Sequence, residues 1–261
     1  MTILQKIVRD KFKEVQFRKK LIPHTQLEDS ILFDRPNNSL LSSLNSSSSG
    51  IIAEFKRRSP SKSEINQSLN VFDVAVGYEK AGASGMSILT DQKYFGGSIE
   101  DLIIGRSSCK LPILRKEFII DPYQIIEAKA FGADVILLIA AVLDKKIIKN
   151  LSILAKSLNL EVILEVHNKE ELQNNIMPSL DIIGVNNRDL KTFKINLNLS
   201  EELSDFIPNE FLKISESGIS NVEVIKKLKL FGYKGFLIGE NFMKSNNPGD
   251  YASKFINNLK K

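Results

Sequence analysis

The stretch IIAEFKRRSPSKSEIN, residues 51–66, decides how the rest of the chain is read. Ile51, Ile52 and Ala53 open it as a buried strand. Glu54 and Lys56 then set a carboxylate and an ammonium at the strand's end. A basic, serine-rich loop follows through Arg57, Arg58, Ser59, Pro60, Ser61, Lys62 and Ser63. An open, doubly wound sheet would usually show a G-x-G-x-x-G turn after its first strand, and EFKRRSPS is not one. A strand that carries polar groups to the C-terminal rim of a barrel fits the pattern better.

Outward from this stretch the same rhythm repeats. Apolar runs recur as GMSILT (85–90), LPILR (111–115), DVILLI (134–139), EVILEV (161–166), DIIGVN (181–186), FLKISE (211–216) and GFLIG (235–239). Helical patterns lie between them, such as YQIIEAKAFGA (123–133), DKKIIKNLSILAKSLN (144–159) and NVEVIKKLKLFG (221–232). Gly132 and Gly232 stand where a left-handed residue ends the last turn. Eight strand–helix units with short connections predict parallel strands, right-handed crossovers and a single (β/α)8 TIM barrel of the α/β class. Ahead of it, Ile3, Leu4, Ile7, Val8, Phe12 and Val15 recur at helical spacing over residues 3–20. Residues 21–50 are polar and end in NSSSSG. The chain reads as one domain, 1–261, with the barrel proper over 51–261 and an N-terminal helical extension, 1–50, wrapped against it.

The bulk numbers exclude several classes. Lys and Arg number 36 against 31 Asp and Glu, a formal charge of +5 spread along the chain. No basic block or aromatic ladder points to nucleic acid, whereas a small anionic substrate fits. The one cysteine, Cys109, rules out an internal disulfide framework and a Cys-based zinc site. The two histidines, His24 and His167, give no basis for a histidine-rich metal site. No apolar run is long enough to span a bilayer, and the first residues lack a signal peptide's apolar segment and cleavage site, so the expected location is the cytoplasm.

Barrel active sites form where strands end, and strand side chains alternate in direction, so parity tests which polar groups share the barrel mouth. Ile52, Glu54 and Lys56 are in step. So are Leu114, Lys116 and Phe118; Ile163, Glu165 and His167; Ile182, Gly184, Asn186 and Arg188; and Ile214, Glu216 and Gly218. Taken singly these are weak signals. A lysine after a strand is usually solvated, a lone Glu more often caps or pairs than acts as a base, and Asn186 with Asn187 suits a simple turn. His167 reads as a helix start or loop contact rather than an acid or base. Together they put charges from five strands on one rim, where they must pair with each other or with a ligand. The last two units add SESGIS and LIGENF. Ser217 with Gly218, and Gly239 with Glu240, sit ahead of helical segments and suit a phosphate cradle.

IIAEFKRRSPSKSEIN, GASGMSILTDQKYFGGSIEDL, PILRKEFIIDPYQIIEAKAFGADVILLIAAVL, LEVILEVHNKEEL, IIGVNNRDLKTF, ISESGI and FLIGENFMKSNNPG, in this order and spacing, resemble indole-3-glycerol-phosphate synthase of tryptophan biosynthesis. The likeness runs through the whole chain, including ILQKIVRDKFKEV and RKKLIP, and is most specific in LRKEFIIDPYQI and NNRDL. It implies a carbon–carbon carboxy-lyase that closes the pyrrole ring of 1-(2-carboxyphenylamino)-1-deoxyribulose 5-phosphate and releases CO2 and water, with no metal or organic cofactor. It implies Lys116 as general acid and Glu165 as base or acid of the later proton transfers. Lys56 contacts the substrate carboxylate, and whether it shares the acid role is left open. Glu54 and Asn186 orient the intermediate. Arg188, Phe118 and Glu216 fall in the substrate site, Phe118 as apolar wall. Ser59, Ser217, Gly218, Gly239 and Glu240 fall at the phosphate end. The expected form is a cytoplasmic monomer, with no nucleic-acid or membrane partner, and transient contact with other enzymes of the pathway is left open. The departures are Arg58 and Ser63, where the family usually has smaller residues, and the FGG after Tyr94. Arg57 and Arg58 suit either substrate guidance or plain surface.

Two other readings compete. A phosphoribosyl-anthranilate isomerase would carry a cysteine at the end of the first strand, where Glu54 and Lys56 stand. A non-catalytic ligand-binding barrel would keep the phosphate loops and lose the acid and base, yet Lys116 and Glu165 are both present.

Overall fold

The computed structural model describes residues 1–260. Eight parallel strands close on themselves in chain order, β1 pairing with both β2 and β8. They are β1 (Ile51–Phe55), β2 (Gly85–Leu89), β3 (Ile113–Lys116), β4 (Val135–Ile139), β5 (Glu161–Val166), β6 (Ile182–Asn186), β7 (Leu212–Glu216) and β8 (Tyr233–Ile238). Before them come α1 (Ile3–Leu21), α2 (His24–Glu28) and α3 (Leu40–Ser46). Around them follow α4 (Val71–Ala81), α5 (Gln92–Phe95), α6 (Ile99–Ser108), α7 (Pro122–Ala130), α8 (Lys145–Ser157), α9 (Lys169–Asn175), α10 (Asn198–Ser204), α11 (Val222–Leu230), α12 (Glu240–Met243) and α13 (Pro248–Leu259).

The alternation read from the sequence separates two cores. Ile52, Leu114, Val135, Leu137, Ile139, Ile163, Ile182, Leu212, Ile214 and Leu237 form one cluster, joined by Leu40 and Leu44 of α3. These residues carry the inward parity. Their neighbours of opposite parity, such as Ile51, Phe55, Ile113, Ile136 and Val162, belong to the larger cluster shared with the outer helices. The barrel is therefore filled by side chains below its mouth rather than hollow.

The first fifty residues pack against the barrel and treat its two ends differently. At the lower end α3 plugs the opening. Glu161, the first residue of β5, receives the Leu40 and Leu41 N–H groups at 2.9 and 3.1 Å and the Ser39 hydroxyl at 2.5 Å. A carboxylate at a helix N-terminus answers donors that have no partner within the helix. Nearby, fully buried Asp134 binds Arg35 and Arg106 at 2.7 and 2.9 Å and receives the Asn38 N–H at 2.8 Å.

At the upper end α1 lies across the barrel rim. A capping box at Thr2 and Gln5 starts it. Lys11, only 1 % exposed, turns inward to Asp91 and Glu117, both at 3.1 Å, while Arg18 and Lys19 tie the far end to Glu127 and Asp121 of the α7 region. Burial opposes the Lys11 ammonium, but Glu117, Asp91 and Glu14 outweigh it and hold its pKa above the usual lysine value. Replacing Lys11 by Met takes the cation from buried Asp91 and leaves Glu117 only Arg115, 3.9 Å away, a loss that typically costs roughly 3–5 kcal/mol. Urea unfolding of K11M at pH 7 should show a destabilisation of that order, whereas K13M, on the exposed side of α1, should unfold with the wild type.

Candidate active site

The C-terminal ends of the strands open into a cavity of about 440 Å³. Every residue read from the sequence as a site residue lines it: Glu54, Lys56, Ser59, Lys116, Phe118, Glu165, Asn186, Arg188, Glu216, Ser217, Gly218, Gly239 and Glu240. Lys116 occupies the centre. Its ammonium is 3.0 Å from Glu165 Oε2 and forms a second, shorter pair with Glu216. Beside it Lys56 pairs with Glu54 at 2.6 Å. Asn186 Nδ2 donates to Glu165 Oε1 at 3.1 Å. Two glycines make room for these carboxylates. A Cβ at Gly184 would come within 2.6 Å of Glu216 Oε1, and one at Gly239 within 2.3 Å of Glu54 Oε1.

The electrostatics follow from burial against pairing. For Lys116 burial disfavours charge, but Glu216, Glu165 and Glu54 more than compensate, and its pKa lies well above the ordinary lysine value. Glu165 is buried too, yet the Lys116 ammonium, His167 and the Asn186 amide hold it well below the usual carboxylate range. Glu216 goes the other way. Burial raises it, Lys116 lowers it only in part, and repulsion from Glu165 and Glu54 leaves it at about 7. Of two carboxylates on one ammonium, one stays ionised and the other titrates near neutrality.

One side of the cavity is apolar. Leu89, Phe95, Phe118, Leu137 and Ile139 line it, with Ile3, Leu4 and Ile7 of α1. Phe95 and Phe118 lie with ring centroids 6.0 Å apart. The other end is a turn-rich anion cradle. Ser217 and Gly218 are both left-handed, at φ 67° and 81°. Successive N–H groups in such turns form anion-binding concavities. Gly239 leads directly into α12, whose first N–H groups lack helical partners. The Glu240 carboxylate is held by Lys62 and Lys244 at 3.3 and 2.8 Å, so the backbone and Lys244, rather than that acid, suit an anion.

Three details refine the sequence reading. Arg57 and Arg58 do not reach into the cavity. Arg57 makes a two-pronged pair with Asp101 at 2.5 and 2.8 Å and stacks over Phe55, and Arg58 binds the Gln92 and Lys93 carbonyls at 2.9 and 3.1 Å. They fasten the loop after β1 to the α5–α6 region, and Ser59 and Lys62 close that loop with paired backbone bonds at 2.8 and 3.0 Å. Arg188 lines the cavity but donates to the Phe193 carbonyl at 3.1 Å, shaping its own loop. Asn187 is no simple turn residue. It is buried and donates to Ser215 Oγ at 3.0 Å and to the Glu216 carbonyl at 2.9 Å, joining the ends of β6 and β7. The sequence reading also missed the place in the cavity wall of Ile3, Leu4 and Ile7, whose only local signal is helical spacing, and of Lys244, which has none. Among the described residues, no group of three or more His, Cys, Asp or Glu is placed to hold a metal ion.

Comparison with known proteins gives concordant results. Residues 4–255 match the family model for indole-3-glycerol phosphate synthase. A protein of that name from Bacteroides thetaiotaomicron is 46% identical over 254 residues, 97% of each chain. Another from Aliarcobacter butzleri is 39% identical, covering 98% of this chain and 99% of its own. Among solved structures, a tryptophan synthase A-subunit from the hyperthermophile Pyrococcus furiosus superposes with a TM-score of 0.60 at 16% identity, over 82% of this chain and 98% of that one, a likeness of fold alone.

The raised pKa of Glu216 has a measurable sign. The folded chain binds its proton more tightly than a free carboxyl near 4.5 does, so this group's contribution to stability is full below that value and is lost as pH rises through about 7. Urea unfolding should therefore show wild type losing stability relative to E216Q between pH 5 and 8. A difference that is flat or grows in wild type's favour with pH would contradict the assignment.

Proposed function

The chain belongs to the indole-3-glycerol phosphate synthase family, and we propose that it carries out that family's chemistry with Lys116 as general acid and Glu165 as the principal base. Its function is to convert 1-(2-carboxyphenylamino)-1-deoxyribulose 5-phosphate to indole-3-glycerol phosphate, CO2 and water, a carboxy-lyase step of tryptophan biosynthesis. The observation that carries the residue assignment is the Lys116 ammonium, paired with two buried carboxylates between an apolar wall and an anion cradle.

The reaction takes up one proton, because a carboxylate leaves as CO2. In ring closure the ring carbon bearing the carboxylate attacks the ketone carbon, and Lys116 supplies the proton that meets the developing charge on the ketone oxygen. The carbon–carboxylate bond then breaks and returns its electron pair to the aromatic ring. Dehydration is proton-neutral. Glu165 removes a proton from the ring CH2, and the hydroxyl leaves as water with a proton returned through the lysine–carboxylate cluster. Glu216, titrating near neutrality against Lys116, is the adjacent proton store. Lys56, on the Glu54 side of the mouth, suits the substrate carboxylate, and Asn186 steadies Glu165. The Phe95–Phe118 side suits the anthranilate ring, and Ser59, Ser217, Gly218, Gly239 and the backbone N–H of Glu240, with Lys244, suit the phosphate. Folding one flexible substrate so that its ring meets its own ketone supplies much of the remaining acceleration.

The chain is read as one catalytic unit over residues 1–261, acting as a cytoplasmic monomer with at most transient contacts to other enzymes of the pathway. No helix among the described residues is long and apolar enough to cross a membrane.

Turnover of the synthetic substrate, followed by indole fluorescence, tests the assignment. K116M should lose roughly 10²–10⁴ in kcat, the range set by positioned general acids, and E165Q should fall in the same range. K56M should act mainly on KM. A K56M enzyme more damaged in kcat than K116M would transfer the acid role to Lys56, and wild type without turnover would end this reading.

A further inference from the structure

His167 directly follows β5 and continues the inward parity of Ile163 and Glu165. Its imidazole is 10 % exposed and lies between two carboxylates, with Nε2 3.3 Å from Glu165 Oε1 and Nδ1 3.3 Å from Glu171 Oε2. Glu171 is itself fixed. The same Oε2 takes the His167 backbone N–H at 2.8 Å, and its Oε1 takes the Asn168 amide at 2.8 Å. Buried Nε2 completes no hydrogen bond in this geometry, and Glu165 Oε1 is the carboxylate oxygen beside it. Glu165 is thus approached by Lys116 of β3 at Oε2, and by Asn186 of β6 and His167 at Oε1.

We propose that His167 is a positioning residue for Glu165: a cation anchored by Glu171 that keeps the Glu165 carboxylate ionised and oriented while Lys116 gives up its proton. The proposal rests on the role assigned to Glu165 above. Its physical basis is the desolvated mouth. Once Lys116 has donated to the ketone, the neutral amine no longer offsets the carboxylates around it, and a buried carboxylate without a cation takes up a proton. A second cation on the Oε1 side, outside the proton-transfer step, holds Glu165 as a base until dehydration needs it. The titratable groups facing His167 are Glu165 from β5 and Glu171 from α9. The residues paired with Glu165 on the flanking strands, Ile139 of β4 and Gly184 of β6, carry no charge. Burial disfavours a charged imidazole here, but the flanking Glu165 and Glu171 carboxylates lift its pKa to about 10.

Steady-state pH–rate profiles of wild type, H167L and H167Q test this. H167L removes both donor and charge. Its kcat should fall about 30-fold, as expected when a reacting group is misplaced, with KM within about twofold of wild type. Removing a neighbouring positive charge makes Glu165 easier to protonate, so the acid-side limb of kcat should move up by about one pH unit. H167Q keeps a donor without the charge, and should recover kcat to within about fivefold of wild type with the limb still raised. A wild-type kcat and limb in H167L, or a loss confined to KM, overturns the proposal, even if the melting temperature falls. If H167L does not fold, the H167Q limb decides alone: raised supports the proposal, unmoved overturns it. Wild type without turnover would instead sink the assigned reaction, a separate failure.

Discussion

Lys116 stands in a barrel mouth where Glu165 and Glu216 both lean on its ammonium and Glu54 adds its field from the neighbouring Lys56 pair. Charges taken out of water must be compensated locally, and breaking one such buried pair typically costs roughly 3–5 kcal/mol. The upper barrel is arranged around that requirement. The carboxylates arrive on the inward parity of β1, β5 and β7. Glycines stand on β6 and just after β8 where any side chain would collide with them. The same requirement leaves Glu216 titrating near neutrality, because one ammonium and its neighbours cannot keep all the surrounding carboxylates ionised with equal ease.

The two ends of the barrel divide stability from chemistry. Below, Glu161 caps α3 and Asp134 gathers Arg35 and Arg106, so these two carboxylates are satisfied by fixed protein partners. Above, the polar groups satisfy one another only in part, as the Glu216 Oε1 and His167 Nε2 atoms show. A polar network left short of partners is costly to fold and useful to a substrate that can complete it. The N-terminal extension serves both ends: α3 seals the base, while Lys11 pins α1 so that Ile3, Leu4 and Ile7 reach the cavity wall.

Much of the site is legible in the strands because a β-strand projects alternate residues to one side over short distances. Reading Glu54 with Lys56, and Leu114 with Lys116, needs only a period of two. The loops are another matter. Arg57 and Arg58 look in the sequence like a free basic pair, yet one is consumed by Asp101 and the other by carbonyls of the α5 region. His167 shows the same limit. Its parity is plain, but its significance depends on Glu171, placed by the first turn of α9.

The sequence alone determined the eightfold strand–helix order, the closed parallel barrel and the inward set of Lys56, Lys116, Glu54, Glu165, Asn186 and Glu216. Those follow from local periodicity and from the chirality of strand connections. Only the tertiary structure decided that α1 forms part of the cavity wall, that Asn187 ties two strand ends together, that the two arginines brace a loop, and which carboxylate beside Lys116 has its pKa raised. These depend on distances between residues far apart in the chain and on how much water is excluded between them, and neither quantity is written in any single stretch of sequence.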